Sequence, residues 1–215
     1  STYLVIGILA AVLESRLSGQ GQVVDAAIVD GTASLNAMGA SMLAGGILKE
    51  ERVSNLLDGG APFYDIYETA DGEHMSVGSL EPQFYEVLLK LLDAEDAPDR
   101  YDPSTYDELR AYFAAKFITK TQAEWTEIFE GTDACVAPIL KLSDAMEHPH
   151  MVDRGVFVEK DGLKQPAPAP RFSRTEATLR ANPPAAAGAN TTEALKAWGI
   201  NDVEGLIEAG VAVQV

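Results

Sequence analysis

Residues 78–92 read GSLEPQFYEVLLKLL, so Glu81 stands directly before Pro82 and an apolar helix follows. A carboxylate there can serve either of two ends. It can start the helix: an acid at a helix N-terminus gains about 0.3–1 kcal/mol from the macrodipole. Proline suits the first helical position, where its missing N–H is not needed. It can instead handle a proton, with the helix start as a rigid platform. The residue types alone leave both roles open.

The other residues with reactive side chains point elsewhere. Cys135, in DACVAPIL, falls in an apolar strand and reads as a core residue rather than a nucleophile. His148 and His150 flank Pro149 in EHPH, which reads as a turn and not as a metal pair on a helix. His74 follows the Asp71-Gly72 turn and is expected to face solvent. With three histidines and one cysteine, none at ligand spacing, no metal is expected. A single cysteine also excludes an internal disulfide and suits a reducing compartment, read here as the cytoplasm.

The elements that must position these residues follow from the pattern. Thr2–Leu13 is apolar throughout but too short to cross a bilayer of roughly 30 Å as a helix. It has no basic leader, so it reads as a buried helix that ends at Gly19 and Gly21. VVDAAIVDG, Val23–Gly31, is β-branched and nearly all apolar, which predicts a buried strand. Thr32–Glu50, rich in small residues and Met, predicts a helix whose shallow faces let another backbone approach closely. From Phe63 the pattern alternates and breaks at Ala70-Asp71-Gly72, a hairpin signal. The Glu81 helix comes next, then PDRYDPS, a loop around Pro98 and Pro103. YDELRAYFAAKFITK repeats apolar residues at helical spacing. Thr121 with Glu124 forms a capping box at the next helix. ACVAPIL predicts a short buried strand, and residues 143–162 a helix returning to a second hairpin. Three alternating prolines in QPAPAPRFS make a stiff extended connector. ANPPAAAGANT reads as a loose surface segment, and two short helices split by Gly199 close the chain.

The chain has 215 residues and a net charge of −17, which argues against nucleic acid and anionic membrane surfaces as partners. At 47% hydrophobic and 23% charged it has the composition of a globular protein.

The order GQVVDAAIVDG, GGAPFYDIYETADG, GSLEPQFYEVL, TDACVAPIL, PAPRFSRT and ALKAWG resembles the α-methylacyl-CoA racemases, of the class III CoA-transferase (CaiB/BaiF) superfamily. The resemblance runs along nearly the whole chain. It implies an α/β fold made of part of a Rossmann-like large domain, a long linker, a small α+β domain and a return segment. Residues 1–26 and 171–215 would belong to the large domain and 63–151 would form the small one. Residues 27–62 and 152–170 would be a helical linker and a return linker. Family members are nearly twice as long, and no residue here matches their catalytic His and Asp. The chain, which starts in mid-helix without Met, is therefore expected to be a C-terminal piece, inactive alone.

The family forms interlocked homodimers with the active site shared between subunits. Glu81 matches the glutamate that the small domain presents to the catalytic His of the other subunit. Racemisation beside a thioester removes a proton from one face and supplies one to the other through an enolate. A carboxylate beside His fixes its tautomer and raises its basicity. The implied activity is thus racemisation or epimerisation of 2-methylacyl-CoA thioesters by 1,1-proton transfer, with CoA as part of the substrate and no separate cofactor. A CoA-transferase, working through an aspartyl anhydride, and a non-catalytic dimerisation module are the alternatives. Transferases of the superfamily usually carry a glycine-rich or glutamine-bearing loop where this chain has Leu80-Glu81-Pro82-Gln83. Arg171 and Arg174 could meet CoA phosphates or form structural ion pairs.

Overall fold

The computed structural model describes residues 2–179 and 186–215. The chain divides into two compact units, Ser1–Ile139 and Leu140–Val215.

The first unit opens with α1 (Thr2–Ser18), α2 (Ile28–Leu35) and α3 (Ala37–Ala44). Helix α1 ends as expected: Gly19 takes a positive φ of 78° and its N–H bonds Ser15 O at 2.9 Å. Three expectations fail here. Helix α1 has no buried residue, and Leu9, Leu13 and Leu17 are 65%, 62% and 82% exposed. An all-round apolar helix can be covered only where something meets it; among the described residues its contacts include Tyr3 Oη donating to Ser34 Oγ, the Tyr3 ring beside Gly31 and Val24 against Gly7. The strand over Val23–Gly31 does not form. Residues 20–27 have no regular structure, Ile28 opens α2, and Val23 is 94% exposed. A strand buried on both faces needs neighbours for its N–H and C=O groups, and none lies beside it among the described residues. The long helix over Thr32–Glu50 is divided at Asn36 and stops at Gly45-Gly46, where Gly46 turns to φ 68°.

The core lies further on. Strands β1 (Tyr64–Glu68) and β2 (His74–Gly78) form the expected antiparallel hairpin, pairing Tyr67 with Met75 and Tyr64 with Gly78. Its turn is closed by Thr69 N–H to Glu73 O and Gly72 N–H to Thr69 O, and Thr69 Oγ1 donates to the Asp71 carboxylate. Alternation buries Tyr67, Met75 and Val77 on one face. Helices α4 (Pro82–Leu91), α5 (Tyr106–Phe117) and α6 (Gln122–Phe129) follow, with Thr121 and Glu124 making the expected capping box. Strand β3 (Val136–Pro138) then adds to β2, giving the sheet order β1-β2-β3. It is only partly buried, because it is a short edge strand. The helices close over the sheet with Leu88, Leu109, Phe113, Phe117, Trp125 and Phe129, all buried.

In the second unit, α7 (Leu142–Glu147) and α8 (Pro149–Asp153) meet at His148, the expected turn. Strands β4 (Phe157–Lys160) and β5 (Leu163–Pro166) form the second hairpin. Helices α9 (Thr191–Ala197) and α10 (Val203–Glu208) are split at Gly199, φ 82°. Of the segment expected to be loose, residues 181–185 lie outside the described residues.

Candidate active site

Glu81 is the residue immediately before α4, with extended backbone at φ −76° and ψ 143°. Its carbonyl accepts from Phe84 N–H at 3.1 Å and Tyr85 N–H at 3.0 Å, which starts the helix. Its side chain does not: the carboxylate makes no capping bond, and among the described residues no hydrogen bond or ion pair reaches it. The residue is solvent-exposed. Helix initiation is thus the work of the Glu81 backbone and Pro82, and the carboxylate is left available.

The segment that carries Glu81 is tied down from several directions. Gly78 N–H bonds Cys135 O at 2.9 Å and Ser79 N–H bonds Phe63 O at 3.0 Å. Ser79 Oγ, fully buried, donates to Ala134 O at 2.6 Å. Leu80 N–H turns back to Gly78 O at 2.9 Å, a three-residue turn. The Arg100 guanidinium donates Nη1–H to Ser79 O at 3.1 Å and Nη2–H to Leu80 O. Arg100 lies in the loop expected around Pro98 and Pro103, and nothing in its sequence surroundings singled it out. The only local hint is an arginine among aromatic and acidic neighbours, Asp99, Tyr101 and Asp102.

Beside this segment a cavity of about 240 Å³ is lined by Pro82, Tyr85, Glu86, Pro98, Arg100 and Tyr101, among others. Two buried polar atoms near it, Tyr85 Oη and Arg100 Nε, have no partner among the described residues. Burial pushes the Tyr85 hydroxyl up to about 12, against the opposing pull of the Arg100 charge.

Cys135 is not a core residue. It is exposed, with a positive φ of 54°, and the chain turns there so that its carbonyl meets Gly78. Partial burial, then the Glu81 and Asp133 carboxylates, raise its thiol, which keeps it protonated and poorly nucleophilic. His74 faces solvent as expected. His148 Nδ1 accepts from His150 N–H at 3.3 Å, a turn contact. In the second unit Arg171 and Arg174 line a cavity of about 690 Å³, and Arg171 is bonded to Gly155 O.

Residues 1–191 match the model of CoA-transferase family III. The chain belongs to that family. Within it, the chain is 43% identical over 202 residues to the α-methylacyl-CoA racemase of Mus musculus, a match covering 93% of this chain and 53% of that protein. The human α-methylacyl-CoA racemase is 39% identical over the same length and the same shares. The chain spans about half the length of the curated relatives it matches. Among solved structures, a CAIB/BAIF family protein from Brucella suis superposes with a TM-score of 0.66 at 20% identity, over 85% of this chain and 50% of that one. Rv3272 from Mycobacterium tuberculosis gives 0.63 at 18%, over 80% and 46%. The family III chain thus has the mixed α/β fold of CaiB/BaiF proteins. Among the described residues no helix is long and apolar enough to cross a membrane.

Proposed function

We propose that this chain is the C-terminal half of an acyl-CoA racemase or epimerase. It would invert 2-methylacyl-CoA thioesters at C2 by 1,1-proton transfer through an enolate. The observation that carries the proposal is Glu81, a carboxylate on a clamped helix start that its own helix does not use. Two-sided proton transfer needs a group on each face of C2. Glu81 contributes one carboxylate, set to hold and charge the catalytic His of the partner subunit. That His and the second acid come from sequence outside these 215 residues. CoA enters as part of the substrate, with no metal and no redox cofactor required. The identity to racemases, 39–43%, exceeds the 27% to succinyl-CoA:mesaconate CoA-transferase of Haloarcula marismortui, which supports racemisation over transfer. The core running from Ala61 to Val136 supports the part of the proposed small α+β domain, 63–151, that precedes Leu140. Residues 1–26 and 171–215 are assigned to the Rossmann-like large domain and 27–62 and 152–170 to linkers. The single cysteine supports a reducing, cytoplasmic setting.

A chain of full racemase length, incubated with a chiral 2-methylacyl-CoA in deuterated water, tests this. Deuterium is expected at C2 with CoA retained on its own acyl group. The isolated 215-residue chain should not exceed the uncatalysed rate. CoA transfer to an added carboxylate acceptor, with C2 unlabelled, would establish a transferase instead.

The assembly proposed is an interlocked homodimer. Apolar side chains of α1 to α3 stand in water here, among them Ile6, Leu9, Ile28, Leu35 and Met38, a patch unusual for a free monomer. Light scattering across a dilution series is expected to give at least a dimer. A stable monomer at micromolar concentration would contradict the assembly.

A further inference from the structure

We propose that Arg100 is a positioning residue for Glu81: its guanidinium fork sets the peptide plane from which Glu81 projects. The inference rests on the reading of Glu81 as a functional carboxylate. Arg100 is 8% exposed. Its guanidinium carbon lies 4.2 Å from the Phe63 ring centroid and 4.4 Å from that of Tyr85, with the Tyr101 ring at 5.3 Å. The cation is therefore held between aromatic faces. Among the described residues no carboxylate pairs with it, although the chain carries 33 acidic residues against 16 basic ones. A buried cation without a counterion is costly, and two carbonyls and aromatic faces offset that cost only in part. Such a group is a poor choice for stability alone, and it stands against the two residues that precede Glu81.

The geometry says what it does there. Consecutive carbonyls in extended backbone point to opposite sides, so one donor group does not reach both. Ser79 O and Leu80 O both accept from Arg100 because the chain folds back at Ser79, with Leu80 N–H on Gly78 O. The Leu80 carbonyl and the Glu81 nitrogen share one planar peptide unit. Fixing that oxygen fixes the plane, and with it the departure of the Glu81 Cα and side chain. Arginine is suited to the task because its planar fork presents two N–H groups at once, which a lysine ammonium on a flexible stem does not. Phe63 takes part twice, stacking on the guanidinium and accepting from Ser79 N–H through its carbonyl.

The test is a double-mutant cycle in a chain of full racemase length. Arg100→Lys keeps the charge and loses the fork; Arg100→Gln keeps one donor and buries no charge, so it guards against a variant that fails to fold. Misplacement of a catalytic group by about 1 Å can cost on the order of 100-fold, so each variant is expected to lower kcat about tenfold or more. KM for the acyl-CoA should stay within about twofold, and Lys should rescue no more than Gln. In the Glu81→Gln background either substitution should cost little further, because residues acting through one another are not additive. Wild-type kcat in folded Arg100→Lys and Arg100→Gln would overturn the proposal, as would losses that multiply with that of Glu81→Gln. Wild-type kcat in Glu81→Gln itself would overturn the reading of Glu81 instead, so the two failures are distinct.

Discussion

Phe117→Ala is expected to lower the unfolding free energy by about 3–5 kcal/mol, the usual cost of emptying a buried aromatic site. Phe117 is fully buried. Its ring stacks on Tyr67 at 5.1 Å and meets Trp125 at 5.4 Å and Phe129 at 6.3 Å. Its carbonyl accepts from Trp125 Nε1–H at 2.8 Å, so ring and backbone both anchor α6. Removing the ring leaves a cavity bounded by three other aromatics, which cannot collapse far without leaving their own contacts. Domains of this size are stable by only about 5–15 kcal/mol, so the loss is a large part of the whole. Urea unfolding followed by Trp fluorescence reads it directly. The effect bears on the site because Tyr67 lies on β1, and the β1–β2 hairpin delivers Phe63 and Gly78–Ser79 to the Glu81 segment. A loss under about 1 kcal/mol would contradict this packing, since it falls below the range for buried aromatic truncation.

Glu81→Gln should behave in the opposite way, leaving stability nearly untouched while turnover falls. The Glu81 carboxylate makes no capping bond, so replacing it forfeits only its interaction with the α4 dipole, a few tenths to about 1 kcal/mol. The backbone bonds from Phe84 and Tyr85 to Glu81 O do not depend on the side chain. If the carboxylate orients and charges a catalytic His, its neutral isostere keeps the shape and loses the charge. A tenfold fall in kcat, about 1.4 kcal/mol of barrier, is then the least expected. Chiral chromatography of the acyl-CoA product measures the turnover, and a thermal unfolding scan measures the stability. A variant that unfolds earlier but racemises at the wild-type rate would reduce Glu81 to a helix-starting residue.

What could be read from the residues was what local chemistry decides. Asp71-Gly72 closed a hairpin and Thr121 with Glu124 closed a capping box, because in each the groups that bond lie within four residues. Gly19 ended α1 for the same reason. Val23–Gly31 misled because apolar β-branched residues make a strand only where another strand pairs with them, and that partner is not a local property. Cys135 misled because its exposure comes from a left-handed turn at one residue in an otherwise apolar run. Glu81 was legible as a candidate from its place before Pro82. That its carboxylate is not spent on its own helix was not legible, since an acid before a helix usually looks like a cap. Arg100 was out of reach for a different reason. Its partners, Ser79 and Leu80, lie 21 and 20 residues away, joined to it only through the fold.

The role assigned to Glu81 is tested most directly by proton NMR of hydrogen–deuterium exchange at C2, with each 2-epimer of a 2-methylacyl-CoA supplied separately. Wild type and Glu81→Gln are compared side by side in a chain of full racemase length. Wild type should wash the C2 proton out of both epimers. The variant should exchange at least about tenfold more slowly, most of all from the epimer whose proton is removed by the His that Glu81 supports. Equal exchange rates in the two proteins, from both epimers, would contradict a catalytic role for this carboxylate.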